Sequence, residues 1–346
     1  MDAFVKHASE PGQAGVRAEP DPKPGPGEVL LRVAACGICG SDLHAFNSDP
    51  GFEWVEPPRI MGHEFSGTVE QVGDGVTGIK TGEVVVAVSI QGCLECPVCR
   101  SGDVHLCPHR RIIGLSYNGG LAEWVVVPAS YLVKVPAGLD ARDAALAEPL
   151  SVAVHAVQRR STIHPGDNVV VSGPGPIGLL CGQLARLAGA DVLMLGTAAD
   201  SARRLPLAGE LGMRTADAAD IEGPDDLRAE FGGRTADVWI EASGAGPALL
   251  GALRCVRRGG IVTVVSLFAG PVTFVPTDAV RAELTVNFSY ASSFPDYERA
   301  LELLAAGDVS LDGVIDRFPL ADAGAAFAAA REGRAVKPLI VPGADL

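Results

Sequence analysis

The chain has 346 residues and a formal net charge of −14, with 47% hydrophobic and 20% charged residues. At about 150 residues per domain, this length is enough for two domains with sizeable cores. The 42 acidic residues outnumber the 28 basic ones, which opposes binding to nucleic-acid phosphates or to an anionic membrane surface. We therefore expect a small-molecule partner, with neither a nucleic-acid nor a membrane partner.

The first residues, MDAFVKHASE, contain neither the basic region nor the apolar region of a secretory signal. No apolar run along the chain reaches the roughly 18 residues that a membrane-spanning helix needs. We therefore expect a cytoplasmic protein. In a reducing compartment, clustered cysteines bind metals more often than they form disulfides.

The first part of the chain contains short apolar runs that are cut by glycine and proline. VLLRVAACG (29–37), GTVEQVG (67–73), EVVVAVSI (83–90) and AEWVVVPA (122–129) are all typical of strands. This pattern favours a partly open antiparallel β-barrel over a parallel sheet. We assign it to a first domain at residues 1–150.

A cysteine-rich lobe at about residues 91–110 interrupts these strands. The sequence QGCLECPVCRSGDVHLC places four thiols at Cys93, Cys96, Cys99 and Cys107. Cys-x-x-Cys steps turn two sulfurs toward one point, and the later cysteine completes a tetrahedral shell. The spacing therefore predicts a structural zinc, with a disulfide knot or buried thiols as the alternative.

The pattern of apolar and polar residues changes at residue 168. NVVVSG, DVLMLG, DVWIEASG and GGIVTVVSL are typical of buried strands, and helix-like segments alternate with them. This alternation predicts a Rossmann-type, doubly wound parallel sheet in a second domain at residues 151–293. The remaining segment, 294–346, contains a helix pattern and a closing strand, KPLIVPG, and we expect it to return and complete the first domain.

A glycine-rich loop lies between the first strand and helix of the second domain. Gly173, Gly175 and Gly178, with Pro176 and Ile177, form a G-x-G-x-x-G in the strand-to-helix context that a dinucleotide site requires. The first glycine makes the turn, the second admits a pyrophosphate, and the third packs helix against strand. The loop therefore predicts binding of NAD(P).

The residues after the next strand bear on the choice of cofactor. Gly196 and Thr197 occupy the place where an acidic residue usually holds the ribose of NAD, although Asp200 could reach it from the loop. Arg203 and Arg204 either bind a 2′-phosphate or form a solvated helix face. The choice between NAD and NADP stays open, and the arginines favour NADP.

A second candidate metal site combines different ligand types. Cys39, His63 and Glu148 lie in the strings CGICGSDLH, GHEFSG and EPLSVAVHA. A sulfur, an imidazole and a carboxylate form a three-ligand zinc site with a position left open for chemistry. Each residue alone has a structural explanation as a buried thiol, a core histidine or a helix-start carboxylate, but the combination predicts a catalytic zinc.

These strings, with SGPGPIG and DVWIEASG in the same order, make the chain resemble the zinc-dependent medium-chain dehydrogenase/reductase superfamily, nearest its sorbitol (polyol) and threonine dehydrogenase branch. The resemblance covers essentially the whole chain and implies an α/β fold with a GroES-like catalytic domain beside the Rossmann domain. It implies that Cys39 and His63 bind a catalytic zinc, that Glu64 or Glu148 completes the ligand set, and that Asp42 orients the histidine. It further implies that Ser41 and His44 relay a proton, and that the chain forms a homodimer or homotetramer.

The implied activity is a zinc-dependent alcohol dehydrogenase that transfers hydride between NAD(P) and a secondary hydroxyl of a polyol, sugar or aminocyclitol. Three alternatives remain: an L-threonine 3-dehydrogenase-like oxidation of a 3-hydroxy amino acid, a zinc-free quinone or enoyl reductase, and a non-catalytic NAD(P)-binding zinc protein. Residues 45–58 are expected to line the pocket for the alcohol or ketone. The side chains considered as its pocket or hydrogen-bonding groups are Phe46, Phe52, Trp54, Arg59, Tyr117 and Glu123. The three aromatic residues could equally be loop anchors.

Overall fold

A computed structural model describes residues 1–343, and its internal contacts divide the chain into two units. The first unit contains Met1–Ser151, Ser292–Gly307 and the described residues from Leu311 onward. The second unit contains Val152–Ala291 and Asp308–Ser310. Among the helices of residues 1–343, none combines the length and apolar character that a bilayer crossing requires.

The strands are β1 (Asp2–Lys6), β2 (Ala14–Ala18), β3 (Glu28–Gly37), β4 (Arg59–Ile60), β5 (Glu64–Val72), β6 (Val84–Ala87), β7 (Ile90–Gln91), β8 (Arg111–Ile112), β9 (Trp124–Pro128), β10 (Leu132–Lys134), β11 (Asn168–Ser172), β12 (Asp191–Gly196), β13 (Arg214–Asp217), β14 (Ala236–Glu241), β15 (Val256–Val264), β16 (Thr285–Phe288), β17 (Ile315–Pro319) and β18 (Lys337–Val341). The α-helices are α1 (Gly40–Asn47), α2 (Pro97–Arg100), α3 (Ala147–Val154), α4 (Pro176–Leu187), α5 (Arg204–Glu210), α6 (Pro224–Glu230), α7 (Gly246–Cys255), α8 (Pro276–Arg281), α9 (Phe294–Ala306) and α10 (Ala323–Arg331).

The largest sheet of the first unit has the strand order β10-β6-β5-β3-β18-β17, with β9 paired to β3. All its pairs are antiparallel except β17 with β18. Val125 and Val127 of β9 are buried in the core. Trp124 and Val126, which alternate with them along the strand, are half-buried. This alternation is the period of a strand that covers a core on one side.

The second unit contains six parallel strands in the order β13-β12-β11-β14-β15-β16. Strand β11 is buried at every position, as expected for a central parallel strand with both faces covered. The order is that of a doubly wound nucleotide-binding sheet, and β16 lies at its edge. The predicted fold class, an α/β protein with a Rossmann sheet and a GroES-like barrel, is confirmed.

Strand β18 comes from the last part of the chain but lies inside the sheet of the first unit. Leu339 and Ile340 pair with Gly37 and Cys36 of β3, antiparallel, and β17 pairs with the other edge of β18. Every residue of β18 is buried. Consequently Lys337, its first residue, is placed close to residues that are hundreds of positions earlier in the chain.

Candidate functional site

The four cysteines of the lobe converge. The sulfurs of Cys93, Cys96, Cys99 and Cys107 all lie within 4.8 Å of one another, and all four thiols are free. The Cys107 sulfur lies 3.7 Å from that of Cys93 and 3.8 Å from that of Cys96. Backbone N–H groups of Glu95 and Cys96 lower the pKa of the Cys93 thiol to about 6, whereas burial raises the pKa of Cys99 to about 12.

Local backbone geometry explains this convergence. The Cys96 sulfur accepts the N–H of Cys99 at 3.4 Å and thereby caps the short helix α2, which begins at Pro97. A Cβ atom at Gly92 would lie 2.6 Å from the Cys99 sulfur, so a side chain there would displace the thiol. The four sulfurs are close enough to occupy the corners of one tetrahedron, and backbone N–H groups donate to them. This arrangement fits a closed zinc site.

The second cluster brings together Cys39, His63 and Glu64, whose ligand atoms also lie within 4.8 Å of one another. Cys39 is the residue before α1, and Glu64 opens β5 opposite Gly37 of β3. His63 and Glu64 are buried, and Cys39 is partly exposed. One soft sulfur, one imidazole and one carboxylate in a partly open site fit a zinc that keeps a position free.

Asp42 is fully buried behind this cluster. Its carboxylate accepts the N–H of Cys39 at 3.0 Å and that of Gly62 at 3.3 Å, and it lies 3.5 Å from His63 Nδ1. Burial alone lowers the pKa of His63, but the charges of Asp42 and Cys39 outweigh it and raise that pKa well above its usual value. This 3.5 Å contact is an ion pair rather than a hydrogen bond, and a carboxylate on the Nδ1 side of the ring leaves Nε2 for a metal.

Lys337 is a member of the cluster that the sequence analysis missed. Its ammonium group contacts the Glu64 carboxylate and donates to the Ile38 carbonyl at 3.0 Å, and both charged side chains are buried. Burial lowers the pKa of Lys337, but Glu64 and Cys39 more than offset this and raise it. The one signal in the sequence was a lysine at the start of an otherwise apolar strand.

Glu148 does not belong to the cluster of Cys39, His63 and Glu64, whose ligand atoms all lie within 4.8 Å of one another. Its carboxylate is nevertheless close enough to that of Glu64 for the two charges to interact. It sits in the first turn of α3, where the Ser89 hydroxyl donates to its carboxylate at 2.7 Å. Burial, and then Glu64, raise the pKa of Glu148 to about 7. The fully buried Tyr297 of α9 donates in turn to the Ser89 hydroxyl at 3.2 Å. Neither Ser89 nor Tyr297 was identified from the sequence.

The two candidate relay residues lie at different depths on α1. The Ser41 hydroxyl is 3.3 Å from His63 Nε2. The His44 side chain is 46% exposed, and its Nδ1 lies 2.7 Å from the Asp49 carboxylate. One candidate relay residue therefore lies beside a candidate metal ligand, His63, and the other reaches solvent.

The candidate pocket residues separate into three groups. Phe52 stacks on His44 with ring centroids 5.2 Å apart, and Trp54 stacks on Phe52 at 6.4 Å. Phe46, on α1, instead packs against Phe327 with ring centroids 5.2 Å apart, beside the buried core. Arg59 and Tyr117 line a separate cavity, and the Glu123 carboxylate accepts the N–H of Asp2 at 2.9 Å.

The glycine loop has the shape that a dinucleotide requires. Gly173 adopts φ +97°, and a Cβ there would lie 2.8 Å from the backbone of Ser243. A Cβ at Gly178 would overlap the Gly173 carbonyl oxygen, whereas one at Gly175 would meet no atom within 4 Å. Pro176 and Ile177 open α4 directly after this space. An open cradle at a helix N-terminus fits a pyrophosphate.

Asp200, the acidic residue in the turn after β12, already has hydrogen-bond and ion-pair partners within the chain. The N–H and hydroxyl of Thr197 both donate to the Asp200 carboxylate at 3.0 Å, and Arg204 lies 3.4 Å from its other oxygen. Arg203 precedes α5 as its N-terminal cap. The turn therefore combines a neutralised carboxylate with two arginines.

Comparison with known proteins agrees with this geometry. Residues 25–137 match the family "Alcohol dehydrogenase GroES-like domain" and residues 176–306 match "Zinc-binding dehydrogenase". The chain is 36% identical to a sorbitol dehydrogenase of Halalkalibacterium halodurans over 346 residues, and 37% identical to an L-threonine 3-dehydrogenase of Bacillus licheniformis over 353 residues, each covering 99% of both chains. It is also similar to the structure of a Sinorhizobium meliloti protein, described as a zinc-binding dehydrogenase bound to NADP, with a TM-score of 0.88, 33% identity and 99% of each chain covered. Full-length relatives and two matched domains together establish that this chain belongs to the zinc-dependent medium-chain dehydrogenase/reductase superfamily, in its polyol and threonine dehydrogenase branch.

Proposed function

We propose that this chain is a zinc-dependent, NAD(P)-dependent dehydrogenase that oxidises a secondary hydroxyl of a polyol, sugar or aminocyclitol, or reduces the corresponding ketone. The observation that carries the proposal is the convergence of Cys39, His63 and Glu64 on one point, with Asp42 buried behind the histidine. Residues 1–150 and 294–346 would form the catalytic domain, and residues 151–293 the cofactor domain.

The chain's own residues have distinct tasks in this activity. Cys39, His63 and Glu64 would hold the metal, with Glu148 as the carboxylate able to replace Glu64. When bound, zinc supplies a Lewis acid for the substrate oxygen, and the nicotinamide supplies the hydride acceptor. Asp42 keeps the His63 ring in the orientation and tautomer that present Nε2.

A proton must leave the substrate hydroxyl during oxidation. Ser41 lies beside His63 Nε2, and His44 on the same helix is half-exposed and paired with Asp49. We infer that Ser41 accepts the proton near the metal ligands and that His44 passes it to solvent. An imidazole is suited to this because its ordinary pKa lies near neutrality.

The substrate class rests on the sorbitol dehydrogenase relative and on the aromatic stack beside α1. Phe52 and Trp54 offer apolar faces on which the carbon backbone of a polyol can pack. A 3-hydroxy amino acid is the second candidate because a threonine dehydrogenase is 37% identical to this chain.

We propose NADP as the preferred cofactor, since the Asp200 carboxylate is already satisfied by Thr197 and Arg204. Arg203 and Arg204 would then bind the 2′-phosphate, which an acidic residue would repel. We further propose one catalytic and one structural zinc per chain. The free thiols suit a reducing cytoplasm, and the exposed edge strand β16 suits a homodimer or homotetramer.

The test is metal analysis of the purified protein beside reduction of NAD⁺ and NADP⁺ with polyols, sugars and L-threonine. We expect two zincs per chain, turnover with a polyol, and a higher kcat/KM with NADP⁺. Cys39→Ala should remove one zinc and turnover, whereas Cys181→Ala, a buried thiol far from both clusters in sequence, should remove neither. Two zincs and full activity in Cys39→Ala would refute the catalytic assignment.

A further inference from the structure

The first unit contains a cavity of about 360 Å³ that no part of the proposed reaction uses. Its polar lining comes mainly from Arg59, Arg111, Gln91, Tyr117 and Asn118. None of the described metal ligands lines it. Trp124, Val126 and Pro128 form its apolar wall, and these are the β9 side chains that alternate with the core-facing Val125 and Val127.

Three chain segments hold this cavity in shape. Arg59 begins β4, and Arg111 begins β8, where it pairs with Gln91 of β7. The loop after β8 is tied to β4, because the Asn118 side chain accepts the N–H of Ile60 at 3.2 Å and Gly119 donates to the Ile60 carbonyl at 2.9 Å. Tyr117 donates to the Gln91 side chain. The lining is therefore braced by hydrogen bonds before any ligand binds.

The two guanidinium groups lack carboxylate partners. Within residues 1–343, neither Arg59 nor Arg111 forms an ion pair with an Asp or Glu side chain. Arg111 lies over the Tyr117 ring, 4.5 Å from its centroid. Arg59 reaches only the Glu56 carbonyl, at 3.3 Å, and its Nε is buried with no hydrogen-bond partner. Within the described part of the chain, both arginines therefore line the cavity without a negatively charged acceptor in direct contact.

The charges favour an anion as that acceptor. Burial lowers the pKa of Arg59, the Glu56 carboxylate opposes this shift, and the like charge of Arg111 adds to it to a smaller extent. An anion between the two arginines would relieve this repulsion. Glu28 also lines the cavity and adds one negative charge, so the two arginines leave an excess of one positive charge; the Glu28 carboxylate accepts the Gly25 N–H at 2.9 Å. Two arginines facing one cavity are notable in a chain of net charge −14.

We propose that this cavity binds a small oxyanion, the phosphate or carboxylate group of a metabolite, between Arg59 and Arg111. Guanidinium groups bind both kinds of group through paired N–H donors. The volume lies at the lower end of the range of about 300–1,000 Å³ for small-molecule sites, so the ligand is larger than a bare ion. Trp124 and Val126 would contact its carbon atoms.

The experiment titrates the zinc-loaded protein with inorganic phosphate and, separately, with malonate, by calorimetry in a low-salt buffer. Malonamide, the uncharged diamide of malonate, serves as the control ligand. We expect saturable binding of at least one anion, with affinity reduced about tenfold or more in Arg111→Gln. Arg299→Gln, an exposed arginine on α9 that pairs with Glu302, is the charge-matched control and should bind as the parent does.

The outcomes separate the possible ligands. Preference for phosphate identifies a phosphate ester, and preference for malonate identifies a carboxylate. Retained binding in Arg203→Ala excludes the turn after β12 as the source of the signal. Equal affinities in Arg111→Gln and Arg299→Gln, or saturable binding of neither anion, would overturn the proposal. Arg111 is exposed, so its variant should fold, and its zinc content and turnover should match the parent.

Discussion

The candidate catalytic cluster contains a buried ion pair between Lys337 and Glu64. Both side chains are almost inaccessible to water. Removing two charges from water is costly, and their attraction compensates only when the pair is complete. Lys337 therefore restricts movement of the Glu64 carboxylate. If that carboxylate moved away, the lysine would remain as an unpaired cation in a low-dielectric environment.

Replacing the lysine should reveal this dependence. We expect Lys337→Met to lower the free energy of unfolding by about 3–5 kcal/mol, since it leaves Glu64 buried without its cation. Lys134→Met, which removes an exposed partner of Glu83, should cost less than about 1 kcal/mol. Urea unfolding of both variants measures the difference. Similar losses would contradict the role of burial, and Glu64→Gln combined with Lys337→Met should recover most of the stability.

Glu148 predicts a pH dependence of stability. Its folded-state pKa, about 7, is raised above the ordinary value of 4.5, so the folded protein holds this proton more tightly than the unfolded chain does. The resulting stabilisation is present below pH 4.5 and is lost as the pH rises through 7. The test compares Cys39→Ala with the double variant Cys39→Ala/Glu148→Gln. Between pH 5 and 8, the free energy of unfolding of Cys39→Ala should fall by on the order of 1–3 kcal/mol more than that of the double variant. Parallel pH profiles would show that Glu148 does not titrate there.

At the scale of elements, the glycines of the loop between β11 and α4 have two different roles. One is required by the packing of the fold, and another leaves space for a ligand. Gly178→Ala forces a methyl group into the Gly173 carbonyl, and should cost about 1–3 kcal/mol of stability. Gly175→Ala places its methyl group in open space, so the fold should tolerate it, but NADPH affinity should drop about tenfold or more. Thermal unfolding and NADPH fluorescence titration measure the two effects. Normal NADPH binding by Gly175→Ala would exclude that space as the pyrophosphate site.

The elements that a local pattern defines were predictable. The spacing of the four cysteines identified a set that does converge, and the apolar runs identified β3, β11 and β14. Lys337 was not predictable, since the pairing of β18 with β3 joins residues about 300 positions apart, and no periodicity reports such a contact. The choice between Glu64 and Glu148 also stayed open, because sequence spacing does not show which carboxylate points at Cys39 and His63.

At the scale of the whole molecule, the edge of the parallel sheet bears on the proposed assembly. Among the described residues 1–343, β16 pairs with β15 alone, and its Val286 and Phe288 side chains are 36% and 67% exposed. An exposed apolar edge strand is a ready surface for pairing with another chain. The same surface would favour aggregation if it remained uncovered.

A charge on that edge should therefore disrupt the oligomer. We expect Phe288→Lys to shift the molar mass, measured by light scattering after size exclusion, to that of a smaller species or the monomer. Leu187→Lys places the same charge at the exposed end of α4 and should leave the mass unchanged. An unchanged mass for Phe288→Lys would place the interface elsewhere on the chain.

The position of β18 in the sheet also sets the order in which the protein can mature on the ribosome. Glu64 is synthesised roughly 270 residues before Lys337. At about 5–20 residues per second, the Glu64 carboxylate is synthesised about 14 to 55 seconds before its ammonium partner. During that interval Cys39, His63 and Glu64 exist without the strand that fixes their charge balance. Translation therefore delivers the candidate metal ligands first and their buried ammonium partner last.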